Sequence, residues 1–127
     1  MTSTPATELI IVRHGETEWN LDGRMQGHSD SELTPLGLRQ AETVAARLAS
    51  ENIDAVYASD LGRAMRTAET LGRAKAMTVI PNAGLRERNM GIFQGLITEE
   101  MRCRHPEDHK RFASRDPDYV IPGGESM

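Results

Sequence analysis

Three short apolar runs alternate with two segments of helical periodicity over the first 81 residues, and this alternation restricts the fold more than any other feature. Residues 8–13, ELIIVR, are a β-branched run bounded by polar residues, which predicts a buried strand. The segment 34–50 opens with Thr34 as N-cap and Pro35 at the first helical position. Leu36, Ala41, Val44, Ala45 and Leu48 then recur at helical spacing, which predicts an amphipathic helix. AVYAS, 55–59, reads as a second strand, and Ser59 or Asp60 can cap a second helix over 61–75. MTVIP, 77–81, reads as a third strand. Strand, helix, strand, helix, strand implies an α/β fold: a mostly parallel sheet flanked by helices. Residues 14–33 read as an ordered loop, and a short helix is expected from Thr98 to about Arg104, followed by a polar stretch.

The size of the chain, 127 residues, suits one small domain. Aromatic residues make up only 4%, so the core has to be aliphatic. A net charge of −4 argues against non-specific nucleic-acid binding. The single cysteine, Cys103, rules out an internal disulfide and suits a reducing cytoplasmic setting. No stretch approaches ~18 consecutive apolar residues, so no membrane span is expected. The N-terminus, MTSTPATE, lacks the basic and apolar regions of a signal peptide. His105 and His109 have a spacing that suits zinc, but Pro106 interrupts it and no further ligands cluster nearby, so no metal is expected.

Ligands of parallel sheets bind beyond the carboxyl ends of the strands. His14 follows the first run, Arg63 follows the second and Glu87 follows the third, so three polar groups are expected on one rim. Two guanidinium groups, Arg13 and Arg63, make a fork suited to a tetrahedral oxyanion such as phosphate. The free N–H groups at the start of the second helix would favour the same anion. Gly15 would let the backbone approach it closely, and Asn20 offers an amide to a further oxygen. A neutral imidazole beside phosphate can attack phosphorus and form a phosphohistidine. Glu87 could protonate the leaving oxygen or take a proton from water, given a pKa raised by partial burial.

RHGETEWN, at 13–20, resembles the signature of the histidine phosphatase superfamily, the phosphoglycerate mutase-like proteins. The similarity continues through MQGHSDSELTPLGLRQA, SDLGRAMRTAET, LRERNMGIFQGL and PGGES, in the family's order and over nearly the whole chain. The resemblance implies His14 as nucleophile, Arg13 and Arg63 as phosphate ligands and Glu87 as proton donor. It also implies a substrate pocket drawn from Gly15, Glu16, Thr17, Asn20, Gln26 and Gly27, and more loosely from Arg88, Asn89 and Met90. By packing chemistry, Met90 and Met101 read as packing residues. The family's second histidine, in a block resembling SHGG beyond PGGES, has no match up to Met127. Residues 1–127 are therefore expected to be the N-terminal portion of a single histidine phosphatase domain, with a sheet incomplete on its C-terminal side and a possible dimer through the open edge.

The implied activity is phosphomonoester hydrolysis through phosphohistidine on a small phosphoester, without metal or organic cofactor. Mutase-type phosphoryl transfer shares its first half-reaction, and a non-catalytic phosphate-binding remnant is the third possibility. In LRERNMGIFQGL, Asn89 and Met90 stand where the glycolytic mutases usually carry an aromatic, which favours the phosphatase branch.

Overall fold

The protein was described as a computed structural model covering residues 4–127. In chain order its elements are α1 (Glu18–Asp22), α2 (Pro35–Leu48), β1 (Val56–Ala58), α3 (Gly62–Lys75), β2 (Val79–Pro81), α4 (Thr98–Arg104) and α5 (Pro106–Ala113). Short 3-10 turns at Ala83–Leu85 and Gly91–Phe93 lie between β2 and α4.

β1 and β2 form a parallel pair, with Val56 opposite Val79 and Ala58 opposite Pro81. The connection runs through α3, giving one β-α-β unit. Val56 and Ala58 are buried while Tyr57 between them is exposed, the alternation expected of a strand with one covered face. Val56, Ala58 and Val79 pack against Met65, Ala68 and Leu71 of α3. A second core joins Met90, Phe93, Leu96 and Met101 to Tyr119 and Ile121, so two of the few aromatic side chains are buried here and this core is not the purely aliphatic one expected.

Local chemistry explains the helices. Thr34 Oγ1 accepts the Gly37 N–H at 3.0 Å, and Pro35 opens the first turn of α2. The buried face of α2 is Gly37, Ala41, Ala45 and Leu48, so small side chains bring it close to α3. Lys75 at the end of α3 donates from Nζ to the carbonyls of Ala49 and Glu51, at 3.1 and 2.8 Å, closing the turn after α2.

The structure corrects the sequence reading at several points. Residues 8–13 take no place in the sheet. Leu9 and Ile11 are 78% and 90% exposed, and Ile10 and Val12 are exposed as well. A strand needs a hydrogen-bonded neighbour, and among the described residues none pairs with this run. The loop expected over 14–33 contains α1, built on a capping box in which Thr17 Oγ1 accepts the Asn20 N–H and Asn20 Oδ1 accepts the Thr17 N–H. The polar stretch after α4 contains α5, with Pro106 as its first residue. Among the described residues no helix is long and apolar enough to cross a membrane.

Candidate active site

His14 sits where the exposed 8–13 run meets the body of the protein, and it is half-buried. Its Nδ1 lies 2.7 Å from the carbonyl oxygen of Gly15. A carbonyl only accepts, so Nδ1 carries the proton and the lone pair lies on Nε2. Burial pushes the imidazole below its ordinary 6.5, and the positive charges of Arg63 and Arg13 push the same way. The Gly15 hydrogen bond and the Asp30 charge oppose these without reversing them. The ring is therefore neutral near pH 7. Arg13, His14 and Gly15 line a cleft of about 240 Å³ together with Gln40, Ala41 and Val44 of α2 and Thr67 of α3.

The backbone at Gly15 is held by two helices. Its N–H donates to Thr67 Oγ1 at 3.0 Å. A side chain at Gly15 would collide with the carbonyl of Gly37, and one at Gly37 would collide with the carbonyl of Glu16. The glycine thus serves the crossing of the 14–16 segment over α2. Glu16 locks the same crossing: its N–H donates to Gln40 Oε1 at 2.8 Å, and its carboxylate accepts Thr34 Oγ1–H at 2.8 Å.

Arg63, in the first turn of α3, is 4% exposed. Its Nη1 donates to the Ser29 carbonyl at 2.8 Å and to Asp30 Oδ1 at 3.2 Å, and its Nη2 donates to the Gly27 carbonyl at 2.7 Å. A guanidinium has five donors, so the Nε–H and one Nη2–H have no side-chain or carbonyl partner among the described residues. Neither Ser59 nor Asp60 caps α3 through its side chain. Instead Asp30 Oδ1 accepts the Arg63 main-chain N–H at 3.4 Å, so a carboxylate from a distant loop stands at this helix start.

Glu87 lies after β2 on a segment fixed to α3. Arg86 donates from Nε and Nη2 to the two oxygens of Asp60, both at 2.6 Å. This side-on grip ties the LRER segment to the residue two positions ahead of α3. Glu87 itself is exposed, contrary to the partial burial expected of it, and its Oε1 accepts the Arg88 N–H at 2.8 Å.

The remaining candidates divide. Thr17 and Gln26 are buried and bonded to each other, Oγ1–H to Oε1 at 2.9 Å. Gly27 has a positive φ of 56° and packs against Met90, where a Cβ would stand 2.7 Å from the Met90 Cγ. Met90 and Met101 belong to the second core, as their chemistry suggested. Arg88 places its guanidinium 5.6 Å over the Phe112 ring, toward α5. Asn89 faces the 122–125 turn, where its carbonyl accepts the Glu125 N–H at 3.0 Å. Sequence reasoning missed four residues that shape this region: Thr67, Asp30, Glu125, and Gln94, whose Oε1 accepts the His28 main-chain N–H at 2.7 Å. Thr67 carried a signal, lying one helical turn from Arg63. Asp30, Gln94 and Glu125 act through tertiary contacts that no spacing announces.

The family described as histidine phosphatase superfamily (branch 1) matches residues 9–127. Phosphoglycerate mutase-like protein 4 of Arabidopsis thaliana is 44% identical over 119 residues, 92% of this chain and 52% of that protein. A mycobacterial glucosyl-3-phosphoglycerate phosphatase superposes with a TM-score of 0.81 at 38% identity, over 89% of this chain and 54% of the other. The alpha-ribazole phosphatase of Shigella flexneri superposes with a TM-score of 0.83 at 29% identity, over 91% and 57%. The chain thus spans about half the length of each of these relatives.

Proposed function

The chain belongs to the histidine phosphatase superfamily, and from that premise we propose that it carries the phosphate-accepting half of an enzyme that hydrolyses small phosphomonoesters through a phosphohistidine at His14. One observation supports this reading above the rest. The 2.7 Å hydrogen bond to Gly15 fixes the His14 proton on Nδ1 and leaves Nε2 as a lone-pair nucleophile beside Arg13 and Arg63.

In this reading Nε2 attacks phosphorus as the ester P–O bond breaks. The leaving oxygen takes a proton from Glu87, and the phosphoryl group rests on the imidazole. Water then gives a proton to Glu87 and attacks the phosphohistidine. Inorganic phosphate departs and His14 is restored. The two uncommitted donors of Arg63 and the charge of Arg13 stabilise the equatorial oxygens, which carry most of the developing charge.

Water is the preferred acceptor. The phosphatases named above support this, and so do Asn89 and Met90, whose placement leaves no aromatic beside Glu87. The name of the Arabidopsis relative supports transfer to a second hydroxyl instead. Phosphate release measured against mutase turnover over a panel of phosphoesters separates the two. For the shared step, incubation with a labelled phosphoester should leave acid-labile, base-stable phosphate on the protein, and His14→Ala should abolish both label and turnover. Turnover near wild type in His14→Ala would sink the covalent mechanism.

A further inference from the structure

The turn at 121–125 lies far from His14 in sequence, yet it is bonded to the segment that carries Glu87. The Glu125 N–H donates to the Asn89 carbonyl at 3.0 Å, and the Ile92 N–H donates to the Pro122 carbonyl at 3.0 Å. The Glu125 carboxylate returns the contact by accepting the Asn89 main-chain N–H. Gly91 and Gly124 make this approach possible. A Cβ on Gly91 would collide with the Pro122 carbonyl, and a Cβ on Gly124 would stand 2.5 Å from the Asn89 carbonyl oxygen.

The same carboxylate reaches a second segment. Glu125 Oε2 is 3.8 Å from His28 Nε2. The His28 main-chain N–H donates to Gln94 Oε1 at 2.7 Å, and the carbonyls on either side of His28, those of Gly27 and Ser29, accept the Arg63 guanidinium. One side chain therefore bridges the segment two residues after Glu87 and the loop that orients Arg63. Nothing in the phosphate chemistry proposed above uses Glu125.

We infer that Glu125 is a positioning residue, which sets the Glu87 carboxyl against the leaving oxygen by holding Asn89 and His28 together. The inference rests on the reading of Glu87 as proton donor. It has a consequence that a merely structural contact lacks. Protonation of the leaving oxygen matters for an alkoxide and hardly at all for a nitrophenolate, which departs unprotonated. Loss of Glu87 positioning should therefore slow alkyl esters and spare activated aryl esters.

The test uses the intact protein that carries this chain, with glycerol phosphate and p-nitrophenyl phosphate as the two substrates. Glu125→Ala should lower kcat for the alkyl ester about tenfold or more, within the ~10²–10⁴-fold that acid–base catalysis supplies. KM should stay within about twofold, because Arg63 keeps its own bonds to Gly27, Ser29 and Asp30 without Glu125. The aryl ester should lose less than about threefold. Glu125→Gln keeps an acceptor for the Asn89 N–H and should recover most of the alkyl activity. Glu87→Gln serves as reference and should show the same substrate-selective loss. If Glu87→Gln is selective and Glu125→Ala slows both esters equally, or neither, the positioning role is overturned while the reading of Glu87 stands. If Glu87→Gln is itself unselective, or the wild type turns over neither ester, the reading of Glu87 falls and takes this inference with it.

Discussion

Asp30 meets Arg63 twice, accepting its Nη1–H at 3.2 Å and its main-chain N–H at 3.4 Å through the same carboxylate oxygen. One residue thus caps α3 and partners a guanidinium that is 4% exposed. A buried cation without a partner is costly, and a helix start without an acceptor leaves bare N–H groups. Asp30 meets both needs from a loop more than thirty residues away.

Replacing Asp30 with alanine should therefore destabilise the fold. Hydrogen bonds to charged groups contribute about 1.5–3 kcal/mol, and the Gly27 and Ser29 carbonyls still hold Arg63, so a loss of about 2 kcal/mol is expected. The urea midpoint should fall with the slope unchanged. A midpoint equal to wild type would show that the two carbonyls suffice.

Gly15 and Gly37 make a second, purely steric test. Each would place a Cβ against backbone atoms of the other segment, and backbone cannot swing aside as a side chain can. Gly15→Ala or Gly37→Ala should cost about 1–3 kcal/mol through overpacking. The double variant should cost less than the sum, because one displacement of the segment relieves both collisions. Strict additivity in thermal unfolding would argue against a shared contact.

The lowered pKa of His14 also fixes a sign. Between its folded pKa and the ordinary 6.5, the unfolded chain binds more protons than the folded one, so stability rises with pH. The His14 contribution is fully present above 6.5 and is lost as pH falls through the folded value. His14→Asn should flatten the pH dependence of unfolding free energy just below 6.5, measured by urea titration against wild type. An identical slope in both proteins would mean that burial does not perturb this ring.

Much of the frame was legible because it is local. Thr34 and Pro35 announce the start of α2, and helical periodicity over 34–50 and 61–75 ends within two residues of α2 and α3. The strands at 55–59 and 77–81 appear in shortened form as β1 and β2. Residues 8–13 fail for an instructive reason: a β-branched run declares a preference for strand, but pairing depends on a neighbour that the run does not encode. Arg13 and Arg63 are legible as a fork suited to an oxyanion, and only the fold shows that three donors of Arg63 are committed to the 27–30 loop. Gly15 is legible as a position of close backbone approach, and only the fold shows Gly37 as the backbone it meets. Each of these gaps is tertiary: the sequence carries the residue, and only the fold supplies its partner.

The exposed run LIIV at 9–12 leads to the last prediction. Four consecutive apolar side chains stand in solvent, with Glu8 and Arg13 as the flanking charges. Burying one such side chain fully is worth about 1.5–3 kcal/mol, so the run has a large incentive to find apolar surface on a neighbouring molecule. Short β-branched stretches of low charge are also the segments most prone to pair edge to edge. Residues 1–127 should therefore self-associate with rising concentration, visible by light scattering and sedimentation. Ile11 is 90% exposed, so Ile11→Lys removes little folded-state contact and should change unfolding free energy by no more than about 0.5 kcal/mol. It should nonetheless lower association markedly, because the charge would have to be buried with its neighbours. Equal association in wild type and Ile11→Lys would place the sticky surface elsewhere. A large loss of stability in Ile11→Lys would mean that the run is packed in solution and that its exposure is not the native arrangement.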